Sequence, residues 1–505
     1  MKKRALISVY DKKNILQVAS FLKQEDYDII STGGTASHLE QAGFPVIRVE
    51  ELTGFQALME GRVKTLSPII YAGVLARRAQ DLDMKTLQDM KIETIDLVIV
   101  NLYPFEEALN QGKKSDDLLE MIDIGGVSLI RAAAKNYISV TVITDPKDYD
   151  ELILQLPVDN LHYRKLLAGK AFSLTSMYDA MIASHFNQEN HIDFPESLTL
   201  SYQKTETPRY GENPHQRAAI YRAYPSKPSA LLDAQIHHGK QLSYNNIRDT
   251  DAAIHLLKSF DQPTVVVVKH MNPCGVASKK TLFEAWQAAY EADPVSIFGG
   301  IVATNQTIDL ITAQAMHSLF LEIIIAKDYD KDALKCLKQK KNLRILTYPE
   351  YALDQKEMVS IDGGMLYQDV DGVELDIHDF QVVTERKPSL NEMNDMLFAM
   401  KVARHVRSNA IVIAQDQTTR GIGAGQMNRV GAANIALEQA GQNSEGSVLA
   451  SDGFIPMIDT VMLAHQHGII SIIQPGGSIH DDDVIRACND HHLAMVFTKT
   501  RHFKH

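Results

Sequence analysis

Cysteine is scarce in this 505-residue chain: Cys274, Cys336 and Cys488 stand far apart and form no CxxC pair. That argues against a disulfide scaffold and a cysteine-based zinc site, and it fits a reducing compartment. Long apolar runs are missing as well, since none approaches the ~18 residues of a membrane span. The basic start Met1-Lys2-Lys3-Arg4 leads into an apolar stretch that stops at Asp11-Lys12-Lys13, too short for a secretory signal. Positive charge is in deficit, with 51 Lys and Arg against 63 Asp and Glu, for a net charge of −12. So acidic a chain is a poor partner for nucleic acid or an anionic membrane, local basic pockets aside. What is present, 45% hydrophobic and 23% charged residues, is ordinary globular composition. At about 150 residues per domain, the length suggests roughly three units. A cytoplasmic, soluble, multidomain protein is expected.

The first part of the chain repeats one pattern: a β-branched apolar run, a Gly- or Asn-bearing loop, then an amphipathic stretch. Ala5–Val9, Tyr27–Ile30, Leu97–Val100 and Val140–Ile143 are such runs. They predict an α/β domain with a mainly parallel sheet, whose ligands collect at the carboxyl ends of the strands. The polar, Pro-containing segment 187–200 reads as a linker, with a boundary near residue 196. Two further blocks follow, one around the strand Thr264–Val268 and one around Ala410–Ala414. They suggest an internal duplication divided near 375–390, although the residues themselves align poorly.

Several motifs carry chemistry, and each has a plainer reading. Ser31-Thr32-Gly33-Gly34-Thr35 follows a strand and opens a helix, which suits an anion or a simple capped turn. Gly61-Arg62-Val63-Lys64-Thr65 adds two cations, and Ile124-Gly125-Gly126 opens a helix carrying Lys135. Asp123 and Lys135 are one helix apart and need not touch; either is also read as a surface charge. Tyr103 ends a strand just before Pro104, as a proton donor or a structural phenol. Lys269-His270-Met271-Asn272-Pro273-Cys274-Gly275 is more specific, for a buried Val run delivers Lys and His together to a strand end. His suits a general base and Lys the stabilisation of developing negative charge. The Pro-Cys pair is reminiscent of zinc deaminases, but Gly275-Val276-Ala277 supplies no second cysteine, so no metal is expected. Gly421-Ile422-Gly423-Ala424-Gly425-Gln426 departs from G-x-G-x-x-G at its sixth position, so no nicotinamide cofactor is expected either. The loop Pro208–Gln216 concentrates Arg, Tyr, His and Asn, as ligand or interface loops do.

Eleven motifs in order make the chain resemble the bifunctional purine-biosynthesis family that joins AICAR formyltransferase to IMP cyclohydrolase. They are Ser31–Thr35, Gly61–Leu66, Asn101–Phe105, Ile122–Gly126, Arg131–Asn136, Arg209–Gln216, Lys269–Gly275, Ser408–Asn409, Gly421–Gln426, Pro475–Ser478 and Arg501–His505. The resemblance implies an α/β protein with a methylglyoxal-synthase-like cyclohydrolase domain, 1–196, followed by a formyltransferase domain, 197–505. The latter would comprise two cytidine-deaminase-like subdomains without zinc. It implies formyl transfer from 10-formyltetrahydrofolate, as cosubstrate, to the 5-amino group of AICAR, then dehydrative closure of FAICAR to IMP. A homodimer with formyltransferase sites between subunits is expected.

The resemblance also carries roles. His270 matches the general base, Lys269 the oxyanion stabiliser and Asn409 a residue orienting the reacting groups. Arg209, Tyr210 and His215 match substrate contacts, while Phe298, Gly299, Pro456, Asp459, Ser478 and Arg501 match the folate and nucleotide pockets. Lys64, Tyr103, Asp123 and Lys135 match the cyclohydrolase constellation, and Ser8, Lys12, Thr32, Gly33, Gly34, Thr35, Arg62 and Thr65 a phosphate cradle. Three positions depart from the family pattern. Tyr10 replaces a serine, Ser67 replaces a histidine, and Ile455 and Met457 remove aromatic surface near the expected folate pocket.

Overall fold

The computed structural model describes residues 2–505, which divide into two compact units. One comprises the residues up to Gln203 with Arg222–Ser226; the other is Lys204–Tyr221 with Lys227–His505.

In the first unit the apolar runs become β1 (Arg4–Val9), β2 (Asp28–Ser31), β4 (Leu97–Asn101) and β5 (Thr141–Ile143). A two-residue strand, β3 (Ile47–Arg48), completes an all-parallel sheet in the order β3-β2-β1-β4-β5. Helices cover both faces, which is why Leu97–Val100 is buried throughout without polar alternation. The order reverses between β1 and β4, so a crevice opens there at the strand carboxyl ends. Two helices start at that crevice, α1 (Gly33–Gln41) and α2 (Gly125–Lys135). A 29-residue helix, α3 (Leu161–Glu189), runs into the segment read from sequence as a linker.

The second unit is built on one twelve-stranded sheet. Its first half contains β6 (Gln235–His238), α4 (Tyr244–Leu257), the hairpin β7 (Thr264–Lys269) and β8 (Asn272–Ser278), and α5 (Leu282–Ala292). It continues through β9 (Ile301–Thr304), α6 (Leu310–His317), β10 (Ile323–Ala326), α7 (Lys331–Leu337) and β11 (Arg344–Thr347). The second half opens with β12 (Gln381–Val382), α8 (Leu390–Ala403), the hairpin β13 (Ile411–Gln415) and β14 (Thr418–Gly423), and α9 (Arg429–Ala440). It closes with β15 (Val448–Ser451), α10 (Asp459–Gln466), β16 (Ser471–Gln474), α11 (Asp481–Asp490) and β17 (Ala494–Phe497). From the centre outward the strands run β8-β7-β9-β10-β11-β6 on one side and β14-β13-β15-β16-β17-β12 on the other, the same path twice.

The halves join where β8 meets β14, at Ala277 and Thr418; nearby, the Val276 N–H donates to Thr419 Oγ1 at 3.0 Å. Strand periodicity splits the core. Val266 and Val268 face α4, Val265 and Val267 face α5, and the second half repeats this with Val412 and Ala414 against Ile411 and Ile413.

The segments Lys269–Gly275 and 421–426 each follow an apolar run and precede a helix, yet neither is a loop joining the two. Instead each chain turns back within two residues, so Asn272–Ser278 and Thr418–Gly423 are the second strands of hairpins. The glycines there serve packing: a Cβ on Gly421 would lie 1.9 Å from the Ala436 carbonyl oxygen, and one on Gly423 1.9 Å from that of Ala432. Helix α9 therefore lies directly on the strand, and no phosphate loop is formed.

Candidate active sites

The crevice of the first unit is a cavity of about 790 Å³, within the range of small-ligand sites. The carboxyl end of β1 brings Ser8 and Tyr10 to it, the loop after β2 brings Thr32 to Thr35, and the loop after β4 brings Tyr103. Arg62, Lys64 and Thr65 line a second wall, and Asp123 to Gly126 a third. Gly33 takes φ 53°, a left-handed conformation that glycine adopts without cost, and this turns the first amides of α1 toward the cavity. Two ammonium groups hang over that turn. A Cβ on Gly33 would lie 3.6 Å from Lys64 Nζ, and one on Gly34 3.9 Å from Lys12 Nζ. A helix start bearing two cations has the electrostatics that suit an anion.

The cradle is held by polar contacts, those of Thr35 buried. Thr35 Oγ1 donates to the Val9 carbonyl at 2.9 Å and accepts from the Val9 N–H at 3.1 Å, locking α1 to β1. Asn101 Oδ1 accepts from the amides of Tyr10 (2.6 Å) and Asp11 (3.0 Å), fixing the loop that carries Lys12. Thr32 directs its hydroxyl to Glu50 at 3.2 Å, and Arg62 pairs with Glu120 on the rim.

Asp123 sits at the mouth of α2, where a carboxylate oxygen accepts from the Gly126 N–H at 2.6 Å. Burial nevertheless pushes its pKa above the usual carboxylate value, against the pull of the Gly126 and Tyr103 amides and of Lys64. The Tyr103 phenol is also raised, by burial and by the negative charge of Asp123. The Asp123 carboxyl and the Tyr103 phenol thus line one cavity, each holding its proton more firmly than in water. The Tyr178 hydroxyl fixes the Asp123 segment, accepting from the Asp123 N–H at 2.9 Å and donating to the Met121 carbonyl at 2.7 Å.

Two sequence expectations change here. Lys135 is exposed at the far end of α2, about 15 Å along the helix from Gly125. It does not line the cavity, and the helix length between it and Asp123 is the reason. Ser67 is equally outside: nearly buried, it caps the helix Pro68–Leu75, its hydroxyl accepting from the Ile69 N–H at 3.3 Å. The departure that reaches the cavity is Tyr10, whose ring meets Tyr103 edge-on with centroids 5.7 Å apart.

In the second unit, Lys269 ends β7, and His270 and Met271 form the tip of the hairpin with φ 53° and 63°. Two positive φ values make a type I′ turn, which matches the twist of its strands. The His270 side chain is exposed at that tip. Lys269 Nζ donates to the Phe298 carbonyl at 3.0 Å, which joins it to Phe298 and Gly299. Phe298 remains 55% exposed and packs on Phe320 at 5.3 Å. The turn reaches the second half through Asn272, whose side chain donates to the His270 carbonyl (3.2 Å) and accepts from the Arg407 N–H (3.2 Å).

Asn409 follows Ser408 across a cis peptide bond. Its amide is already engaged, donating to the Gln426 carbonyl at 2.8 Å and accepting from Arg429 at 2.8 Å. Arg429 in turn forms a buried pair with Asp452 at 2.5 Å, and Asp452 bonds Ser408. Both ends of the Asn409 amide are therefore held in one orientation where it lines a small pocket with Ser408, Gly425 and Phe503. The loop carrying Arg209, Tyr210 and His215 is tied to α4, for the Glu212 carbonyl accepts from Asn245 (3.2 Å) and its carboxylate pairs with Arg248 (3.4 Å). Pro456 precedes α10, Asp459 begins it, and Ser478 follows β16; all three lie beyond strand carboxyl ends of the second half. Arg501 stacks over Phe503 at 4.8 Å. Arg429 and Asp452, which hold Asn409 and Ser408, belong to no motif singled out in the sequence.

Cys274 is packed in the core of the first half, and burial pushes its thiol up to about 12, so it is no thiolate ligand. Among the described residues no group of three or more His, Cys, Asp or Glu stands close enough to hold a metal, and no helix is long and apolar enough to cross a membrane.

A parallel-sheet domain with an anion cradle, followed by a duplicated domain with a Lys-His pair at a hairpin tip, defines a two-centre enzyme of small anionic substrates. Residues 133–439 match the family model described as AICARFT/IMPCHase bienzyme, and 14–128 that of the MGS-like domain. The bifunctional purine biosynthesis protein PurH of Oceanobacillus iheyensis is 49% identical over 511 residues, and that of Enterococcus faecalis 49% over 513, each covering 100% of both chains. A solved structure, that of ForH, is 34% identical, with a TM-score of 0.33, covering 37% of this chain and 97% of its own. The chain belongs to the AICARFT/IMPCHase bienzyme family. It is a formyltransferase and cyclohydrolase of the two final steps of IMP synthesis.

Proposed function

We propose that each activity belongs to one unit: ring closure of FAICAR in the first, and formyl transfer to AICAR in the second. The observation that carries this is the meeting of Lys12, Lys64, Tyr103 and Asp123 in a single cavity at the switch point of the first sheet. The substrate 5′-phosphate binds the start of α1 beneath Lys12 and Lys64, with Ser8, Thr35 and Thr65 around it. Asp123 accepts a proton from the carboxamide nitrogen as that nitrogen attacks the formyl carbon. Tyr103 protonates the formyl oxygen to a hydroxyl, which leaves as water with the proton held by Asp123, while the former formamide N–H gives its proton back to Tyr103 as the ring C=N bond forms. The reaction is intramolecular, so holding amide and formamide in a folded conformer contributes much of the rate.

In the second unit, His270 takes the proton from the 5-amino nitrogen of AICAR as that nitrogen bonds to the formyl carbon. Lys269, anchored by one N–H to Phe298, directs its other donors to the oxyanion of the tetrahedral intermediate. The bond to N10 of the folate then breaks, N10 takes up a proton, and FAICAR and tetrahydrofolate leave. Folate chemistry fits Phe298, whose exposed ring offers a face to a flat pterin. The donor is 10-formyltetrahydrofolate.

The repeated path of the sheet supports two deaminase-like subdomains. The two-stranded hairpin Lys356–Ile361 and Gly364–Asp369 exposes Val359, Ile361, Met365 and Leu366, apolar surface consistent with a homodimer. Three free cysteines suit the cytoplasm.

One pair of variants tests the assignment. His270→Ala is expected to abolish formyl transfer and leave closure of supplied FAICAR intact, while Lys64→Ala does the reverse. Loss of both activities in either folded variant would overturn the two-site reading.

A further inference from the structure

The two halves of the second unit keep one frame through their first helix and hairpin. Asp249 and Asp395 are each the sixth residue of their helix, α4 and α8. The helices open on matching capping boxes, Ser243 with Asn246 and Ser389 with Glu392. Asp249 and Asp395, His270 and Asp416, and Gly275 and Gly421 are all pairs 146 residues apart, with no gap between them. The last pair also shares its reason, because a Cβ on Gly275 would meet the Ala289 carbonyl oxygen of α5 at 2.3 Å.

The carboxylates do the same thing in both halves. Asp395 accepts from the amides of Asp416 (2.9 Å) and Gln417 (2.7 Å), the two residues of the β13–β14 turn, with φ 51° and 50°. Asp249 accepts from the Met271 amide at 2.8 Å, in the β7–β8 turn. Both turns hold side-chain-bearing residues in left-handed conformations costing roughly 1–2 kcal/mol each, so a charged acceptor that fixes their amides stabilises the turn. In the second half Lys279 adds a bond to the Asp416 carbonyl, and the turn carries no histidine.

We propose that Asp249 is a positioning residue for formyl transfer: it holds the His270–Met271 turn so that the imidazole stands at the amine of AICAR. The inference rests on His270 being the base. The duplicated half supplies the control, because Asp395 has the same structural task at a turn without chemistry.

The experiment measures both activities and thermal melting for Asp249→Ala, Asp249→Asn, Asp395→Ala and His270→Ala in the full chain. Asp249→Ala should lower the formyl-transfer kcat by about 10- to 100-fold, the scale of a misplaced catalytic group. Its KM values should stay within about twofold and closure of FAICAR should be unaffected, since the loss is of orientation and not of binding. Asp249→Asn keeps an acceptor and should recover most of the rate. Asp395→Ala should lower the melting temperature without lowering kcat. If Asp249→Ala fails to fold, Asp249→Glu carries the test, because one added methylene displaces the turn; wild-type kcat there would overturn the proposal. So would equal losses of kcat in the two Asp→Ala variants, or an unchanged kcat in Asp249→Ala beside a dead His270→Ala. Formyl transfer surviving in His270→Ala would instead remove the base assignment on which the proposal stands.

Discussion

Tyr10 and Tyr103 meet edge to face on the wall of the first cavity, with ring centroids 5.7 Å apart and planes at 75°. Tyr103 is the expected proton donor, so the family departure at position 10 acts by bracing it. Such contacts are worth about 0.5–1.5 kcal/mol. Tyr10→Ser should therefore lower kcat for ring closure by about 2- to 12-fold, with formyl transfer unchanged. Tyr10→Phe keeps the ring and should behave as wild type; a loss there would mean that the Tyr10 hydroxyl itself takes part.

Asp123 gives ring closure its expected pH dependence. Burial disfavours its charged form, so the carboxyl gives up its proton at a higher pH than an ordinary carboxylate. A base must be ionised to act, so the rate rises with pH through that raised pKa and falls below it. The acid limb of kcat for closure should lie above the usual carboxylate range and vanish in Asp123→Asn along with most activity. An acid limb at the ordinary value, kept in the variant, would assign it to another group.

The phosphate cradle predicts a split between its two lysines. Lys12 Nζ donates to the Tyr10 carbonyl at 3.3 Å and hangs over the first turn of α1. Lys64 lies over the same turn and also acts on Asp123. Lys12→Ala should raise the KM for FAICAR by about 10- to 100-fold, the worth of a charged hydrogen bond, with a smaller change in kcat. Lys64→Ala should raise KM and also lower kcat. Steady-state assays with supplied FAICAR at fixed ionic strength distinguish them.

Part of the first cavity was readable because Ser8, Tyr10, Thr32–Thr35 and Tyr103 lie at or just past strand ends, where a parallel sheet gathers them whatever the helices between do. Lys135 stands outside this cavity because a whole helix separates it from Asp123, a spacing legible in the sequence; only the family resemblance grouped the two. Ser67 was noted only as replacing a histidine; it is a helix cap, which the proline after it makes legible. The hairpins were hidden because His270-Met271 and Asp416-Gln417 lack the Asn-Gly signature of a type I′ turn. The duplication was faint because its shared residues are few. The pattern Ser-x-Asn-x-x-x-Asp, at 243–249 and again at 389–395, was its one legible trace.

The glycine-rich strand offers the last test, and it separates packing from ligand binding. Gly421 is needed because α9 lies on β14 at a distance that admits no Cβ, with the Ala436 carbonyl oxygen 1.9 Å from where one would be. The obstacle is backbone within a helix, so it cannot swing aside as a side chain would. Gly421→Ala must lift α9 from the sheet or bend the strand, at about 1–3 kcal/mol for ordinary overpacking and more where the clash is this close. The variant should melt several degrees lower, and formyl transfer should fail on heating before ring closure does, because the strain lies wholly in the second unit. Gly425, with φ 65° and its nearest neighbour, Arg407 Cβ, 3.8 Å from a built Cβ, faces a different constraint. Gly425→Ala is strained by its backbone alone and should cost about 1 kcal/mol. A Gly421→Ala protein as stable as the parent, judged by thermal melting of the two variants side by side, would refute the close approach of helix and strand.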